Sequence, residues 1–315
     1  MLLHIAERDN DFTLRDFVKH WCPSMARSFQ AINTHQLGTA TRMPLGTYLF
    51  TDLERQSPLL KQLQAQLYDQ LEQGGAKVLN HPLKALDRMG LISRFHELGI
   101  NSYRGFNALE VPADLRFPVF LRVAKNHAGS ETPLLQNWDE YEEAVIRLIT
   151  ASRPPDDLVA IEYADASNEE GLFVKCAAFR IGDRIVPRGI YFGDDWMMKA
   201  HDTTPTWRAE AKWEYVKTNP HSDQIMQAFE AANIEYGRCD YAVCNGRIEF
   251  WEINTNPSFA GPVDSYSAES LEQQHWVAAQ VGEALTALDT ISQVGHVAVN
   301  LHWQPECLGV EAAVT

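Results

Sequence analysis

Three oxygen-bearing side chains in the last third of the chain have the types and spacing of a metal site. Glu252 and Asn254 lie two residues apart in a strand-like segment, so their side chains point to the same face. Asp240 lies in the preceding strand-like segment, and the Asn245–Gly246 pair between the two predicts a β-hairpin. Mg²⁺ prefers oxygen ligands and usually takes one or two carboxylates plus substrate phosphates. The three residues therefore predict a magnesium site, and a solvated sheet face is the alternative.

The apolar neighbours of Glu252 favour the metal site, because they indicate a buried strand in which unpaired carboxylates are costly. The hairpin must also have the right register. A simple two-residue turn at Asn245 and Gly246 would place Asp240 and Glu252 on opposite faces. A shared face requires an extra loop residue or a β-bulge. We expect a three-residue loop in which Gly246 has a positive φ and Asp240 pairs with Phe250.

The same residues carry a family resemblance. Gly-Arg-x-Asp at 237–240 followed by Glu-x-Asn-Thr-Asn-Pro at 252–257 resembles the C-terminal signature of the ATP-grasp superfamily. It is similar in particular to D-alanine–D-alanine ligases, glutathione synthetases and ribosomal-protein glutamate ligases. The resemblance implies that Asp240, Glu252 and Asn254 hold two Mg²⁺ ions that bridge the phosphates of ATP. It also implies that Arg238 binds the transferring phosphoryl group or the developing oxyanion.

Segments upstream of this motif follow the order of the superfamily. Residues 117–122 resemble the strand that usually ends in a phosphate-binding lysine, and 126–130 resemble the small loop that closes over the triphosphate. Residues 162–164 resemble the hinge whose backbone holds adenine, and Glu169 or Glu170 would suit the ribose hydroxyls. The expected nucleotide-binding residues are Arg88, Arg122, Asn126, Gly129, Ser130, Glu162, Tyr163, Ala164, Glu170 and Lys175.

Some of these assignments depart from the superfamily pattern. The superfamily usually carries lysines where this chain has Arg88 and Arg122, and the two side chains differ in shape although both neutralise phosphate. Arg188 and Lys199 resemble catalytic contacts to substrate or phosphate in these ligases. For these two and for Lys175, a plain surface role is an equal alternative.

The elements that must position these residues indicate an α/β chain with α+β subdomains, as in an ATP-grasp fold with a short N-terminal α/β lobe. We expect an N-terminal lobe at 1–78, a central subdomain at 79–156, a C-terminal subdomain at 157–290 and a tail at 291–315. Apolar periodicity predicts helices at about 58–74 and 268–288. A further helix after Pro82 is expected to bury Leu83, Leu86, Phe95 and Leu98 and to end at Gly99. The first 45 residues show no clear pattern.

Bulk composition excludes several classes of protein. The 315 residues carry a net charge of −15, which argues against nonspecific nucleic-acid binding. No apolar run approaches the length that a membrane span needs, so we expect no membrane association. The five cysteines are odd in number and contain no Cys-x-x-Cys pair, which argues against a disulfide framework and favours a reducing cytoplasm.

The resemblance implies an ATP- and Mg²⁺-dependent ligase. A carboxylate of a small molecule or peptide would attack the γ-phosphate of ATP, and an amine would then displace phosphate from the acyl phosphate. A small-molecule kinase and a nucleotide-binding sensor without turnover are the alternatives, and a homodimer is left open. The chain lacks the His-Glu-x-x-His, Gly-x-Ser-x-Gly and Walker-type motifs of other enzyme classes.

Overall fold

The N-terminal lobe is built on a parallel sheet. The computed structural model describes residues 1–7, 9–124, 129–198, 206–259, 261, 263–291 and 294–302. The first elements are β1 (Leu2–Ala6), α1 (Phe12–His20), β2 (Phe29–Asn33), α2 (Thr34–Leu37), β3 (Arg42–Pro44), β4 (Thr47–Phe50), α3 (Pro58–Gln73) and β5 (Lys77–Leu79). The sheet order is β2-β1-β4-β5, and each pair is parallel.

The first two strands lie in the part of the sequence for which no element is predicted. All five residues of β1 are buried, as in a parallel sheet that is covered on both faces. Such a strand is a short apolar run without alternation, so periodicity does not distinguish it from a buried helical segment.

The central subdomain is a small antiparallel sheet with one covering helix. Its elements are α4 (Arg88–Glu97), β6 (Gly105–Asn107), β7 (Val119–Val123), α5 (Trp138–Thr150) and β8 (Leu158–Glu162). The sheet order is β6-β8-β7, and α5 packs on it through a separate apolar core. β8 therefore belongs to the central subdomain by its hydrogen bonds, whereas the boundary predicted at residue 157 assigns it to the C-terminal one.

Helix α4 starts later than the sequence pattern suggests. The Asp87 carboxylate accepts the Gly90 N–H at 2.9 Å and caps the helix, which begins at Arg88. The expected burial of Leu83 and Leu98 is wrong, since they are 56% and 48% exposed. Both lie outside the helix, so helical periodicity does not apply to them.

The C-terminal subdomain contains a second antiparallel sheet. Its elements are β9 (Phe173–Ile181), β10 (Arg184–Gly193), α6 (Thr206–Thr218), α7 (Ser222–Ala231), β11 (Tyr236–Cys244), β12 (Arg247–Asn254) and α8 (Ala268–Leu288), followed by β13 (His296–Ala298). The sheet order is β10-β9-β11-β12. Within the predicted tail at 291–315, the described strand β13 returns to the N-terminal lobe, where it pairs with β3.

One apolar core joins the N-terminal lobe to the C-terminal subdomain. The ring of Phe259 lies 4.9 Å from that of Phe17 in the lobe and 4.7 Å from that of Phe179 in the sheet. None of the described helices is long and apolar enough to cross a bilayer. The described cysteines, Cys22, Cys176, Cys239 and Cys244, are free thiols, and Cys307 lies outside the described residues.

A buried asparagine ties these two parts together. Asn80 is fully buried and has a φ of 64°. Its amide nitrogen donates to the carbonyls of Phe50 at 3.0 Å and Tyr236 at 2.7 Å, and its amide oxygen accepts the N–H groups of Glu235 and Tyr236. One side chain thus satisfies four backbone groups that lie on both sides of the junction.

We predict that Asn80→Ala lowers the free energy of unfolding by about 3 kcal/mol or more, since four buried backbone groups lose a partner. Asn233 is the matched control, because it has a similar φ of 54° but a single bond, at 3.3 Å to the Lys84 carbonyl. Asn233→Ala should cost only about 1 kcal/mol, mostly for the left-handed backbone. Urea unfolding of the two variants measures the difference, and equal losses would contradict the role given to Asn80.

Candidate nucleotide and metal site

Strands β11 and β12 bring the predicted metal residues to one face. Asp240 pairs with Glu252, and Arg238 pairs with Asn254. Directly opposed residues of an antiparallel pair share a face. The predicted shared face of the two carboxylates is therefore confirmed, and Asn254 lies on it as well.

The route to this register differs from the predicted one. The turn holds only Asn245 and Gly246, with φ of 51° and 78°, so the three-residue loop and the pairing of Asp240 with Phe250 are wrong. The positive φ of Gly246 is confirmed. Two left-handed central residues are typical of the type I′ turn, whose twist matches that of the flanking strands.

A β-bulge at Trp251 supplies the missing residue. Phe250 pairs with Tyr241, and the next pair along the strands skips Trp251. The side-chain amide of Asn101 bonds the N–H and C=O of Phe250 at 2.9 and 2.8 Å, and the Tyr103 hydroxyl donates to the same carbonyl at 2.6 Å. These contacts satisfy the outer edge of β12 where the bulge interrupts the ladder.

Cationic side chains balance both carboxylates. Lys175 Nζ and Arg238 Nε lie 3.2 and 3.1 Å from the two oxygens of Asp240. Burial opposes ionisation of Asp240, but Arg238 and Lys175 outweigh it and hold the pKa of the carboxyl below its usual range. Glu252 forms an ion pair with Arg88, whose other terminal nitrogen donates to the Ala124 carbonyl at 2.8 Å.

A fourth cation lies beside this group. Burial, and to a lesser extent the charge of Arg88, lower the pKa of Arg122 to about 10, so its guanidinium remains protonated at neutral pH. Four cationic residues thus surround two carboxylates, namely Arg88, Arg122, Lys175 and Arg238. The excess of positive charge suits a polyphosphate.

The donor set fits Mg²⁺. Asp240, Glu252 and Asn254 offer oxygen ligands only, and the Asn254 Oδ1 is oriented by the Asn256 N–H at 2.7 Å. Within the described ranges, no group of three or more His, Cys, Asp and Glu side chains could hold a metal ion. Two carboxylates and an amide fit an ion whose remaining ligands come from phosphate or water.

A cavity of about 340 Å³ opens beside the carboxylates, between the central and C-terminal sheets. Its walls combine aromatic and apolar side chains with the charged Arg122, Lys175, Asp240 and Glu252. The rings of Phe120 and Tyr163 lie 5.1 and 5.9 Å from that of Trp196. A cavity with both apolar and charged walls matches the two parts of a nucleotide.

Gly129 and Ser130 belong to the loop at 126–130 that is expected to close over the triphosphate, and they line one side of this cavity. Gly129 has a φ of 98°, and a side chain there would meet the sulfur of Met197 at 3.2 Å. The Ser130 N–H points to the same sulfur at 3.4 Å, and its hydroxyl bonds the Leu121 carbonyl at 3.0 Å. The serine side chain therefore fixes the loop to β7.

Glu162 has a different role from the other predicted hinge residues. Its buried carboxylate bonds the guanidinium groups of Arg104 and Arg116. Burial opposes its ionisation, but these two arginines outweigh burial and hold its pKa below 4.5. The side chain is thus engaged by the central subdomain. The hinge backbone is fixed as well, since the Tyr163 N–H donates to the Pro118 carbonyl at 3.0 Å.

The predicted site residues divide into groups. Those that line the cavity are Arg122, Gly129, Ser130, Glu162, Tyr163, Ala164, Lys175, Asp240 and Glu252. Arg88, Arg238 and Asn254 adjoin them through the contacts and pairings above. Arg188 lies at a bulge of β10 and Glu170 is exposed in a turn, and neither lines the cavity. Asn126 and Lys199 lie outside the described residues.

Sequence reasoning missed the apolar walls of the cavity. They include Phe120, Ile161, Phe173, Trp196, Met198 and Trp251. Phe120 lies in the strand expected at 117–122, so its alternation with the buried Val119 and Leu121 was the available signal. Trp251 adjoins Glu252, but its position depends on the bulge.

A second cavity, of about 360 Å³, shares Glu252 with the first. The N-terminal lobe contributes Glu54 to it, and α4 contributes Arg88. Its lining carries five carboxylates, on Glu54, Asp87, Asp156, Asp157 and Glu252. The two cavities therefore meet at one predicted metal ligand.

The sequence matches no protein-family model and no curated protein. Solved structures do match over nearly the whole chain. D-alanine–D-alanine ligase from Bacillus anthracis is 13% identical, with 90% of this chain and 99% of that chain covered and a TM-score of 0.50. The ATP-grasp ligase PsnB with its minimal precursor is 13% identical, at 91% and 99% coverage and a TM-score of 0.51. PsnB with a phosphomimetic precursor variant, Mg and ADP is 12% identical, at 91% and 96% coverage and a TM-score of 0.51.

We predict that Glu162→Gln destabilises the protein by about 3 kcal/mol at neutral pH, because two arginines lose a buried anionic partner. The pKa of Glu162 is lowered by folding, so its contribution is present above the unfolded pKa and lost as the pH falls through the folded pKa. The difference from wild type should be constant from about pH 8 to about pH 5 and shrink below about pH 4.

Urea unfolding across this pH range measures that difference. Glu131→Gln is the control, because Glu131 pairs at 2.8 Å with the half-exposed Arg153 and should contribute less than about 1 kcal/mol. A loss for Glu162→Gln that is as small as the control, or that grows on acidification, would contradict the buried ion-pair account.

Proposed function

We propose that this chain, which has the ATP-grasp fold, is an ATP- and Mg²⁺-dependent ligase that joins a carboxylate to an amine through an acyl phosphate. The observation that carries the proposal is the pairing of Asp240 with Glu252 on a cationic face that borders an aromatic cavity. Such a face provides oxygen ligands for Mg²⁺ and positive charge for phosphates beside a space for a base.

The side chains act by positioning and by charge. Phosphoryl transfer requires in-line placement and neutralisation of the equatorial oxygens more than covalent help from the protein. Arg122 and Lys175 line the cavity next to the carboxylates, and Arg238 lies on the same strand face as Asp240. Bound Mg²⁺ would supply further charge neutralisation at Asp240, Glu252 and Asn254.

The second cavity suits the acceptor half of the reaction. An acyl phosphate hydrolyses in water, so the amine must reach it in a closed space. The cavity that contains Glu54 and Arg88 shares Glu252 with the aromatic cavity. Its five carboxylates suit a protonated amine, which would lie there beside Glu252 and the phosphates of a nucleotide in the first cavity.

The known neighbours support this assignment. PsnB, which has the same fold, is described with Mg and ADP, and the D-alanine–D-alanine ligase joins two amino acids by name. The free buried thiols also support a reducing compartment, and we place the protein in the cytoplasm on that basis.

Product formation tests the function. The purified protein is incubated with MgATP and arrays of amino acids and small peptides, and ADP release is followed together with product masses. A ligase releases ADP only with both an acid and an amine, and its product mass equals the sum of the two substrates minus water. ADP release with one substrate and a phosphorylated product would identify a kinase. Nucleotide binding without release under any combination would identify a sensor.

We predict that Asp240→Asn and Glu252→Gln each reduce ATP turnover at least about a hundredfold, because each change removes a charge from a ligand of Mg²⁺. Glu249→Gln is the control, since Glu249 lies buried on the same strand but its carboxylate accepts the Ser102 N–H at 2.8 Å outside the cavity. The control should keep near-normal turnover. Normal turnover in Asp240→Asn or Glu252→Gln at saturating Mg²⁺ would refute the metal assignment.

Arg122 offers a separate test of the nucleotide assignment. A charge-assisted contact contributes about 1.5–3 kcal/mol, so Arg122→Ala should raise the Kd of ATP roughly tenfold to a hundredfold. Arg122→Lys keeps the charge and should raise it less. Isothermal titration with a nonhydrolysable ATP analogue measures both values. Wild-type affinity in both variants would place the phosphates away from β7.

A further inference from the structure

The segment that follows the metal-binding strand is attached to the N-terminal lobe. Thr255 and Asn256 come directly after Asn254 and are 2% and 8% exposed. The Thr255 hydroxyl donates to Glu54 Oε2 at 2.6 Å and accepts the Leu53 N–H at 3.0 Å. The end of β12 is therefore held by the residues that follow β4.

Asn256 makes a second attachment with both ends of its side chain. Its Oδ1 accepts the Thr13 hydroxyl at 2.6 Å, and its Nδ2 donates to the Asn10 carbonyl at 2.9 Å. Thr13 lies in the first turn of α1 and is 7% exposed. The loop after β1 and the first turn of α1 together thus fix the position of Asn256.

The backbone of Asn256 contacts the predicted metal ligand Asn254 directly. Its N–H donates to Asn254 Oδ1 at 2.7 Å. This bond fixes which end of the Asn254 amide carries oxygen on that side, and a carbonyl oxygen keeps a second lone pair. A continuous chain of hydrogen bonds therefore runs from Thr13 through Asn256 to Asn254.

We propose that Asn256 is a positioning residue that holds the Asn254 oxygen in its metal-binding orientation, and that Thr13 fixes Asn256 for this purpose. The proposal rests on the proposed function, because it assumes that Asn254 binds Mg²⁺. It adds that the N-terminal lobe sets the geometry of a metal site whose ligands all lie in the C-terminal subdomain.

The physical reason is the cost of an unsatisfied buried polar atom. Without the Thr13 hydroxyl, the Asn256 Oδ1 loses its hydroxyl donor, and the buried imidazole of His4 is the other side chain that bonds Asn256. Rotation or displacement of Asn256 would relieve this cost, and either movement shifts the N–H that orients Asn254. The metal site should then weaken while the cavity walls and the cationic residues stay in place.

Thr13→Val tests this chain of hydrogen bonds, because valine keeps the shape of threonine and replaces its hydroxyl with a methyl group. Binding of Mn²⁺ in the presence of a nonhydrolysable ATP analogue is measured by electron paramagnetic resonance. We expect the Kd of Mn²⁺ to rise about three- to tenfold, as the loss of one buried hydrogen bond implies. Thr13→Ser should restore the wild-type value.

Two further variants separate positioning from general stability. Thr34→Val alters an equally buried threonine of the N-terminal lobe on α2 and should leave the Kd of Mn²⁺ unchanged. Asn256→Ala should weaken Mn²⁺ at least as much as Thr13→Val, and combining the two should add little, because both break the same chain. If Thr13→Val does not fold, Asn256→Ala alone tests the proposal.

The outcomes distinguish the two proposals. Wild-type Mn²⁺ affinity in Thr13→Val or Asn256→Ala would overturn the positioning role and leave the proposed function intact. Equal weakening in Thr34→Val, or no recovery in Thr13→Ser, would overturn it as well, since the effect would then reflect stability alone. Absence of nucleotide-dependent Mn²⁺ binding in the wild type would overturn the proposed function, and the positioning role with it.

Discussion

Two carboxylates that face each other across neighbouring strands repel, and burial strengthens the repulsion because water no longer screens it. Asp240 and Glu252 are in this position, and the protein surrounds them with cations. Arg238 and Lys175 neutralise Asp240, and Arg88 neutralises Glu252. The other features of the site either create this juxtaposition or compensate for it.

The bulge at Trp251 creates the juxtaposition, and its own requirements extend into the central subdomain. Asn101 and Tyr103 satisfy the outward-facing backbone groups of Phe250, the residue before the bulge on the edge strand β12. Residues from that subdomain therefore stabilise the metal strand, while Glu54 and Thr13 of the N-terminal lobe hold its end. A site whose ligands come from one hairpin thus depends on all three parts of the chain.

Local chemistry made much of this predictable from the sequence. The spacing of Glu252 and Asn254 and the periodicity of the long helices each depend on neighbours within a few residues. The register of β11 and β12 could not be predicted from neighbouring residues in the same way. A two-residue turn with a bulge and a three-residue loop both satisfy the same sequence, and the structure has the turn with the bulge. Strands β1 and β4 of the N-terminal lobe show no alternation of polar and apolar residues, since tertiary packing buries both of their faces.

A crystal structure with ADP and Mn²⁺, recorded with anomalous data, would locate both the metal and the nucleotide. We expect an anomalous peak at about 2.1–2.3 Å from carboxylate oxygens of both Asp240 and Glu252, the distance expected for a hard divalent ion. We also expect the adenine ring in the cavity that Phe120 and Trp196 line. Nucleotide bound elsewhere, or Mn²⁺ held away from these two carboxylates with their ion pairs to Arg238, Lys175 and Arg88 intact, would contradict these expectations.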